Sequence, residues 1–291
     1  MGLSPDALAR LVKLHLRTEV VVDGLIAGLH RSPTRGQSVE FAEHKEYSPG
    51  DEIRHIDWKA YGKLDRYYVK RYEQETNLDA FLVIDGSASM AYGEPETKYE
   101  LAAVLASSLA TVLSRQQDRV GLAIWNGGEL QVLPPHSSPA HLTNLNNLLV
   151  ETVPRGGTDL GALADALAEK IRRRSLVIVL SDLFDPTPAG LSRLTALRVR
   201  GHDLVLLQLL DRTELEFPFE DPTLFLSMED DRRLEVNPRE LRRGYLAELE
   251  RFLESTERHC REHDCDYQRI RSDVPPENAL AELLGSRRGS T

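Results

Sequence analysis

Asp79-Ala80-Phe81-Leu82-Val83-Ile84-Asp85-Gly86-Ser87-Ala88-Ser89 passes from a short, unbroken apolar run into an acid and a loop of small hydroxyl residues. An apolar run of this length, closed by polar residues, reads as a strand buried on both faces of a parallel sheet. Ser175-Leu176-Val177-Ile178-Val179-Leu180-Ser181 repeats the pattern, and Asp182 stands at its carboxyl end. Two such strands with helical patterns beside them call for right-handed crossovers and helices on both sides of the sheet.

Outward from these runs the alternation continues. Tyr99, Ala102, Ala103, Ala106, Leu109, Ala110 and Leu113 recur at helical spacing and predict a helix over 98–115. Residues 119–125 read as a strand, Asn126-Gly127-Gly128 as a hairpin turn, and 129–133 as an edge strand. Helices are expected over 139–151, 159–173 and 188–199, a strand over 203–210, a long helix over 238–263, a strand near 266–271 and a closing helix over 276–286. The stretch 211–236 reads as irregular and acidic. Upstream, Ser4-Pro5-Asp6 is a helix start, with Ser at the cap, Pro at the first position and an acid in the first turn. It predicts a helix over about 5–16 and then a second short helical or irregular stretch.

The expected fold is therefore α/β: a doubly wound, mostly parallel sheet with helices on both faces, plus an N-terminal β-containing extension. Three regions follow: 1–76, a helix and β-rich extension packed on the sheet; 77–212, the core; and 213–291, helices and a final strand completing the same domain. Within the extension, 37–42 and 66–73 read as short β stretches between the turn signals Ser32-Pro33, Arg35-Gly36, Ser48-Pro49-Gly50-Asp51 and Tyr61-Gly62. Phe41, Tyr47, Trp58 and the tyrosines at 61, 67, 68 and 72 are too many large side chains for a disordered linker, and predict packing onto the sheet edge. Asp51, Arg54 and Asp57 are expected to form an internal polar cluster.

Composition narrows the function. The 291 residues are 41% apolar and carry 36 basic against 46 acidic side chains, a net charge of −10. That supplies a core and excludes intrinsic disorder, and it argues against nucleic-acid binding through a global positive field. Cys260 and Cys265 cannot build a disulfide framework. No run of about 18 uncharged apolar residues encodes a membrane span, and Asp6, Arg10, Lys13 and Arg17 interrupt the N-terminal stretch where a secretory signal would be apolar. A cytoplasmic protein without membrane insertion is the expectation.

In an open parallel sheet, ligands bind at the carboxyl ends of the strands, where strand order reverses. Three segments lie there: Asp85 to Ser89, Asp182 with Asp185 beyond it, and Arg155-Gly156-Gly157-Thr158-Asp159 before a helix. Carboxylates, hydroxyls and glycines without His or Cys suit a hard divalent cation better than zinc or copper. With few charged ligands such an ion stays a strong Lewis acid, able to take a carboxylate from another chain.

Asp85-x-Ser87-x-Ser89, with Thr158 73 residues on and Asp182 24 beyond that, resembles the metal-ion-dependent adhesion site of von Willebrand factor A domains. The resemblance implies one cation (Mg²⁺, or Mn²⁺ or Ca²⁺) held by Asp85, Ser87, Ser89, Thr158 and Asp182, directly or through water, in a von Willebrand A-like, Rossmann-type fold. All five residue types match; Ala88 stands where the common form has Gly. Upstream, Arg35-Gly36-x-Ser38-x-Glu40-Phe41, Tyr47-x-Pro49-Gly50-Asp51-x-Ile53-Arg54-x-Ile56-Asp57-Trp58 and Lys70-x-Tyr72-x-x-Glu75 resemble the domain of unknown function 58 family, which places this block directly before a von Willebrand A-like domain. Members are often encoded beside MoxR-type AAA+ ATPases. The resemblance thus implies a non-enzymatic, metal-dependent protein-binding module, a partner or adaptor of such an ATPase in the assembly or activation of other proteins.

Other chemistries read less well. A metal-assisted phosphoester hydrolase in the same pocket would want a second acid two residues after Asp85, where Ser87 stands, and a lysine for the phosphate. Ser87 lacks the Gly-x-Ser-x-Gly elbow of a hydrolase nucleophile, and no Gly-x-x-x-x-Gly-Lys-Ser/Thr phosphate loop is present. His259 and His263 share a helix face, but with Cys260 and Cys265 they match no common zinc framework. A structural scaffold with a vestigial metal site is the remaining alternative.

Overall fold

The computed structural model describes residues 4–31, 44–46, 68–70, 79–185, 187 and 189–288. The chain divides into two compact units, Met1–Leu29 with Leu78–Thr291, and His30–Asn77. The smaller unit contains β1 (His44–Glu46) and β2 (Tyr68–Lys70), paired antiparallel with His44 opposite Lys70. The strand expected over 37–42 and the polar cluster of Asp51, Arg54 and Asp57 lie outside the described residues, as do Phe41, Tyr47, Trp58, Tyr61, Tyr67 and Tyr72.

The larger unit is built on a six-stranded sheet. Its strands are β3 (Asp79–Asp85), β4 (Arg119–Asn126), β5 (Glu129–His136), β6 (Leu176–Ser181), β7 (Asp203–Leu210) and β10 (Asp266–Arg271), in the order β10-β7-β6-β3-β4-β5. Every pairing is parallel except β4 with β5. Chain order runs outward from β3 through β4 to β5, then returns to the other side of β3 for β6, β7 and β10. The reversal therefore falls between β3 and β6, and a crevice is expected beyond their carboxyl ends.

Side-chain alternation explains the two layers. Leu82 and Ile84 of β3 enter one core with Leu122, Ile178, Leu180 and Leu207; Phe81 and Val83 enter the other with Ala123, Val177, Val179 and Leu206. The first core is closed by α1 (Pro5–Arg31), α2 (Lys98–Arg115), α3 (Pro139–Glu151) and α8 (Pro276–Arg288). The second is closed by α4 (Leu160–Lys170), α5 (Gly190–Val199) and α7 (Pro238–Glu262). Apolar side chains on both faces of a central strand account for its unbroken apolar run. This is the doubly wound α/β arrangement that the sequence implies.

Three elements depart from the sequence reading. The first helix does not stop near residue 16 but runs to Arg31. The β-branched run Val20-Val21-Val22 lowers helix propensity, yet Val21, Val22 and Leu25 are buried, and that packing carries the helix onward. The edge strand β5 extends to His136 rather than 133, with Pro134 and Pro135 inside it. Pro lacks the N–H that a ladder uses and is tolerated at such an edge. The stretch 211–236 is not irregular throughout: α6 (Arg212–Glu216) is closed by a capping box of Asp211 and Glu214, and β8 (Thr223–Leu226) pairs antiparallel with β9 (Arg233–Val236) in a separate hairpin. No helix among the described residues is long and apolar enough to cross a membrane.

Candidate functional site

Asp85 ends β3, and Asp182 follows β6 on the neighbouring strand. Both are buried, Asp85 at 1% and Asp182 at 0% exposure. Asp85 Oδ1 accepts from the Ser87 N–H at 2.9 Å, and Oδ2 accepts from the Ser181 hydroxyl at 2.6 Å. The first of these bonds turns the chain so that the Ser87 and Ser89 hydroxyl oxygens lie 3.1 Å apart.

The third segment is laced to the first through the backbone. Ala88 N–H donates to the Gly156 carbonyl at 2.8 Å, and Arg155 N–H donates to the Gly86 carbonyl at 2.8 Å. Both glycines are required by close approach. A Cβ at Gly86 would stand 2.7 Å from the Trp125 carbonyl oxygen, and one at Gly156, whose φ is +75°, would stand 2.8 Å from the Gly127 Cα. Thr158 follows, buried, immediately before Asp159, which caps α4 by accepting from Ala162 N–H at 2.7 Å. Asp185 accepts from Leu160 N–H at 3.0 Å and so joins the loop after β6 to the start of α4. Its carboxylate serves that helix terminus, where negative charge is favourable.

Several side chains that the sequence did not single out complete the cup. Lys98, at the first position of α2, is fully buried; its ammonium donates to Asp182 Oδ2 at 2.7 Å and to Glu214 Oε1 at 2.6 Å. A cation at a helix N-terminus opposes the macrodipole, and that anomaly is the one sequence signal that could have marked it. Ser181 lies one position beyond the Ile84–Leu180 pair in the β3–β6 register, which brings it beside Asp85. Glu229, in the turn of the β8–β9 hairpin, accepts from the Thr158 hydroxyl at 3.1 Å and from the Thr158 N–H at 3.3 Å.

Charge in the cup is unbalanced. Burial raises the Asp85 carboxyl, and Asp182 raises it further, to about 6, against the hydrogen bonds from Ser181 and Ser87. Burial alone would pull the Lys98 ammonium down, but Asp182 and Glu214 outweigh it and hold it up. Burial raises Glu214 despite Lys98. With all three acids ionised, one ammonium faces three carboxylates, so 1 − 3 leaves −2 among these four groups. Lys98 gives two of its three N–H donors to these carboxylates. Beside the cup, Ser89, Tyr92, Glu214, Phe217, Phe225 and Tyr245 are among the residues around a cavity of about 220 Å³.

Comparison with known sequences places the chain in a family. The profile of the proteins of unknown function DUF58 matches residues 43–253, most of the chain. The chain belongs to the DUF58 family. The matched span of this DUF58 protein takes in Asp85, Ser87, Ser89, Lys98, Thr158, Asp182 and Glu229. An uncharacterized protein of Mycobacterium tuberculosis is 28% identical over 219 residues, covering 74% of this chain and 68% of its own. Among solved structures, the conserved hypothetical protein BatB of Bacteroides thetaiotaomicron is similar at 16% identity and a TM-score of 0.46, over 72% of this chain and 98% of its own. The SpRpn10 VWA domain is similar at 10% identity and a TM-score of 0.41, over 70% of this chain and 93% of its own.

The donor chemistry of the DUF58 cup suits a hard cation. The side chains that face it offer oxygen donors only, and the 3.1 Å between the two serine hydroxyls is near the roughly 3 Å that adjacent ligands around an octahedral ion with bonds of about 2.0–2.1 Å would have. No group of three or more His, Cys, Asp or Glu side chains within metal-binding reach occurs among the described residues. A cation there would need hydroxyls to supply what the two aspartates do not. At the other end of α7, Cys260 and Cys265 are free and buried, and the His259 and His263 rings stack with centroids 4.1 Å apart. His259 Nε2 lies 3.0 Å from the Thr195 hydroxyl, a packing role rather than a metal ligand's.

Proposed function

We propose that this DUF58 chain is a non-enzymatic, divalent-cation-dependent protein-binding module. Asp85, Ser87, Ser89, Thr158 and Asp182 hold the ion, Mg²⁺ in the first instance, with Mn²⁺ or Ca²⁺ as alternatives. Bound there, the ion supplies Lewis acidity toward a carboxylate of the partner. The five residues do the rest: the aspartates set its charge, and the hydroxyls fill coordination without neutralising it.

One observation carries the reading. Two buried aspartates stand side by side at the switch point of the sheet, burial and the neighbouring Asp182 raise the Asp85 carboxyl, and with Asp85, Asp182 and Glu214 ionised the charge around them falls short of balance by two. A divalent ion would restore that balance. The partner we propose is a MoxR-type AAA+ ATPase presenting an Asp or Glu, with this chain as its adaptor in the assembly or activation of other proteins.

The test is a binding titration of a purified MoxR-type ATPase against the full chain, in Mg²⁺ and in EDTA. The expected result is a Kd at least about tenfold weaker in EDTA, the equivalent of about 1.4 kcal/mol, and the same loss for Asp85→Ala or Asp182→Ala in Mg²⁺. Binding that ignores both the chelator and the substitutions would leave the cup a vestigial feature of a scaffold.

A further inference from the structure

The first helix breaks its own pattern on the face it turns to the core. Ala7, Leu14 and Val21 of α1 are buried, as are Thr18 and Leu25, each four positions after one of them. An amphipathic helix also fills the positions three after with apolar side chains. Here those positions hold Arg10, Arg17 and Gly24. Both arginines line a cavity of about 200 Å³ between α1, the N-terminal half of α2 and the end of α3. Leu14, Tyr99, Ala103, Val104, Leu149 and Val150 give it a buried apolar lining.

The charges around this cavity are unevenly matched. Lys13 borders it and donates to Glu100 Oε1 at 3.1 Å. Arg17 pairs with Glu96; burial lowers its guanidinium, and Glu100 and Glu277 act against that. The nearby acids thus serve Lys13 and Arg17. Arg10 has neither an ion pair nor a hydrogen bond among the described residues. Its charge is felt at the lining all the same: burial raises the Tyr99 phenol, and Arg10 is one of the groups that pull it back. Thr97, also at the cavity, accepts from Glu100 N–H at 3.1 Å, and its own hydroxyl proton goes to no acceptor among the described residues.

We propose that this cavity binds a small amphiphilic carboxylate, with its short apolar chain among α1, α2 and α3 and its carboxylate on Arg10. A guanidinium fork matches a carboxylate with two parallel hydrogen bonds, and the Thr97 hydroxyl is a further donor on the wall. An uncharged chain would leave the Arg10 fork to water, and an ammonium would meet three bases. The volume sets the length of the chain. Pockets for drug-sized ligands hold roughly 300–1,000 Å³, so this smaller one suits a chain of several carbons rather than a membrane lipid. The inference uses none of the residues of the cation cup and stands apart from the reading above.

Calorimetric titration of the full chain in EDTA tests this, with octanoate as the probe beside acetate, octanol and octylammonium. Octanoate is expected to bind. Acetate lacks the chain and octanol the charge, and each is expected to bind at least about tenfold more weakly; octylammonium is expected not to bind. Arg10→Gln, at an exposed position that the fold does not need, is expected to weaken octanoate about tenfold and leave octanol unchanged. Ala103→Leu extends a branched side chain into the cavity and is expected to abolish octanoate binding while the thermal midpoint stays level or rises. The proposal is overturned if octanoate does not bind, if acetate or octanol binds as tightly as octanoate, or if Arg10→Gln takes up octanoate as the wild type does. Because the titrations contain EDTA, none of these results bears on the cation cup.

Discussion

Burial and a neighbouring acid act together on Asp85. Its folded carboxyl, at about 6, lies above the ordinary value of 3.8, so between roughly pH 4 and 6 the folded chain holds a proton that the unfolded chain has released. The stability this group contributes is complete below pH 4 and is lost as pH rises through 6. Asp85→Asn removes the cost and keeps one acceptor for the Ser87 N–H and one donor toward Ser181. Urea denaturation in EDTA at pH 7 is expected to show Asp85→Asn more stable than wild type, on the order of 1–3 kcal/mol. Lys98 is the opposite case. Lys98→Met strands Asp182 and Glu214 as unpaired buried acids and is expected to cost about 3–5 kcal/mol by the same measurement. Adding Glu214→Gln should return part of that loss. Asp85 and Asp182 were legible because each closes an apolar run, and Ser87 and Ser89 because they follow one. Lys98, Ser181, Glu214 and Glu229 were not, because each takes its meaning from a neighbour far away in sequence.

Elements decide whether those side chains meet. The Gly156 turn holds the Thr158 segment against Ala88, and its left-handed backbone disfavours residues that carry a Cβ. Gly156→Ala is expected to cost about 1–2 kcal/mol from backbone strain alone, with more from the crowded Gly127 Cα. A thermal melt compared with Gly128→Ala, whose added Cβ meets nothing within 4 Å, would separate crowding from strain. At the end of α7, burial pushes the Cys260 thiol up to about 12 and that of Cys265 to about 11 from the usual 9. Raised thiols keep their protons longer in the folded chain. Their contribution is intact below pH 9 and lost as pH climbs toward 11–12. Urea midpoints measured at pH 8 and pH 10.5 should fall with pH, and Cys260→Ala/Cys265→Ala should flatten the fall. The helices over 98–115 and 139–151 and the strand over 203–210 were legible to their ends, because apolar period and capping residues agree there. The four-residue strands β8 and β9 were hidden by Pro218, Pro222 and a cluster of acids, too short for a period to declare itself.

At the scale of the whole molecule, sheet order was legible only in outline. Alternating strands and helices imply a parallel, doubly wound sheet, but nothing local says that β6 returns to the flank of β3. That return sets Asp182 beside Asp85, so topology creates the cup from segments that carry no trace of one another. The first helix shows the converse. Its C-terminal half is a poor helix former by propensity, and Val21, Val22 and Leu25 hold it in place only because a core is there to receive them.

The prolines of β5 bear on how these molecules behave when crowded. An outermost strand with free amides invites a neighbouring chain to extend the ladder, the first step toward fibrils. Neither Pro134 nor Pro135 carries an N–H, so whichever of the two positions faces that border offers no donor there. Replacing both with threonine would restore that donor, and light scattering of a concentrated, gently warmed solution should then rise sooner than for the wild type.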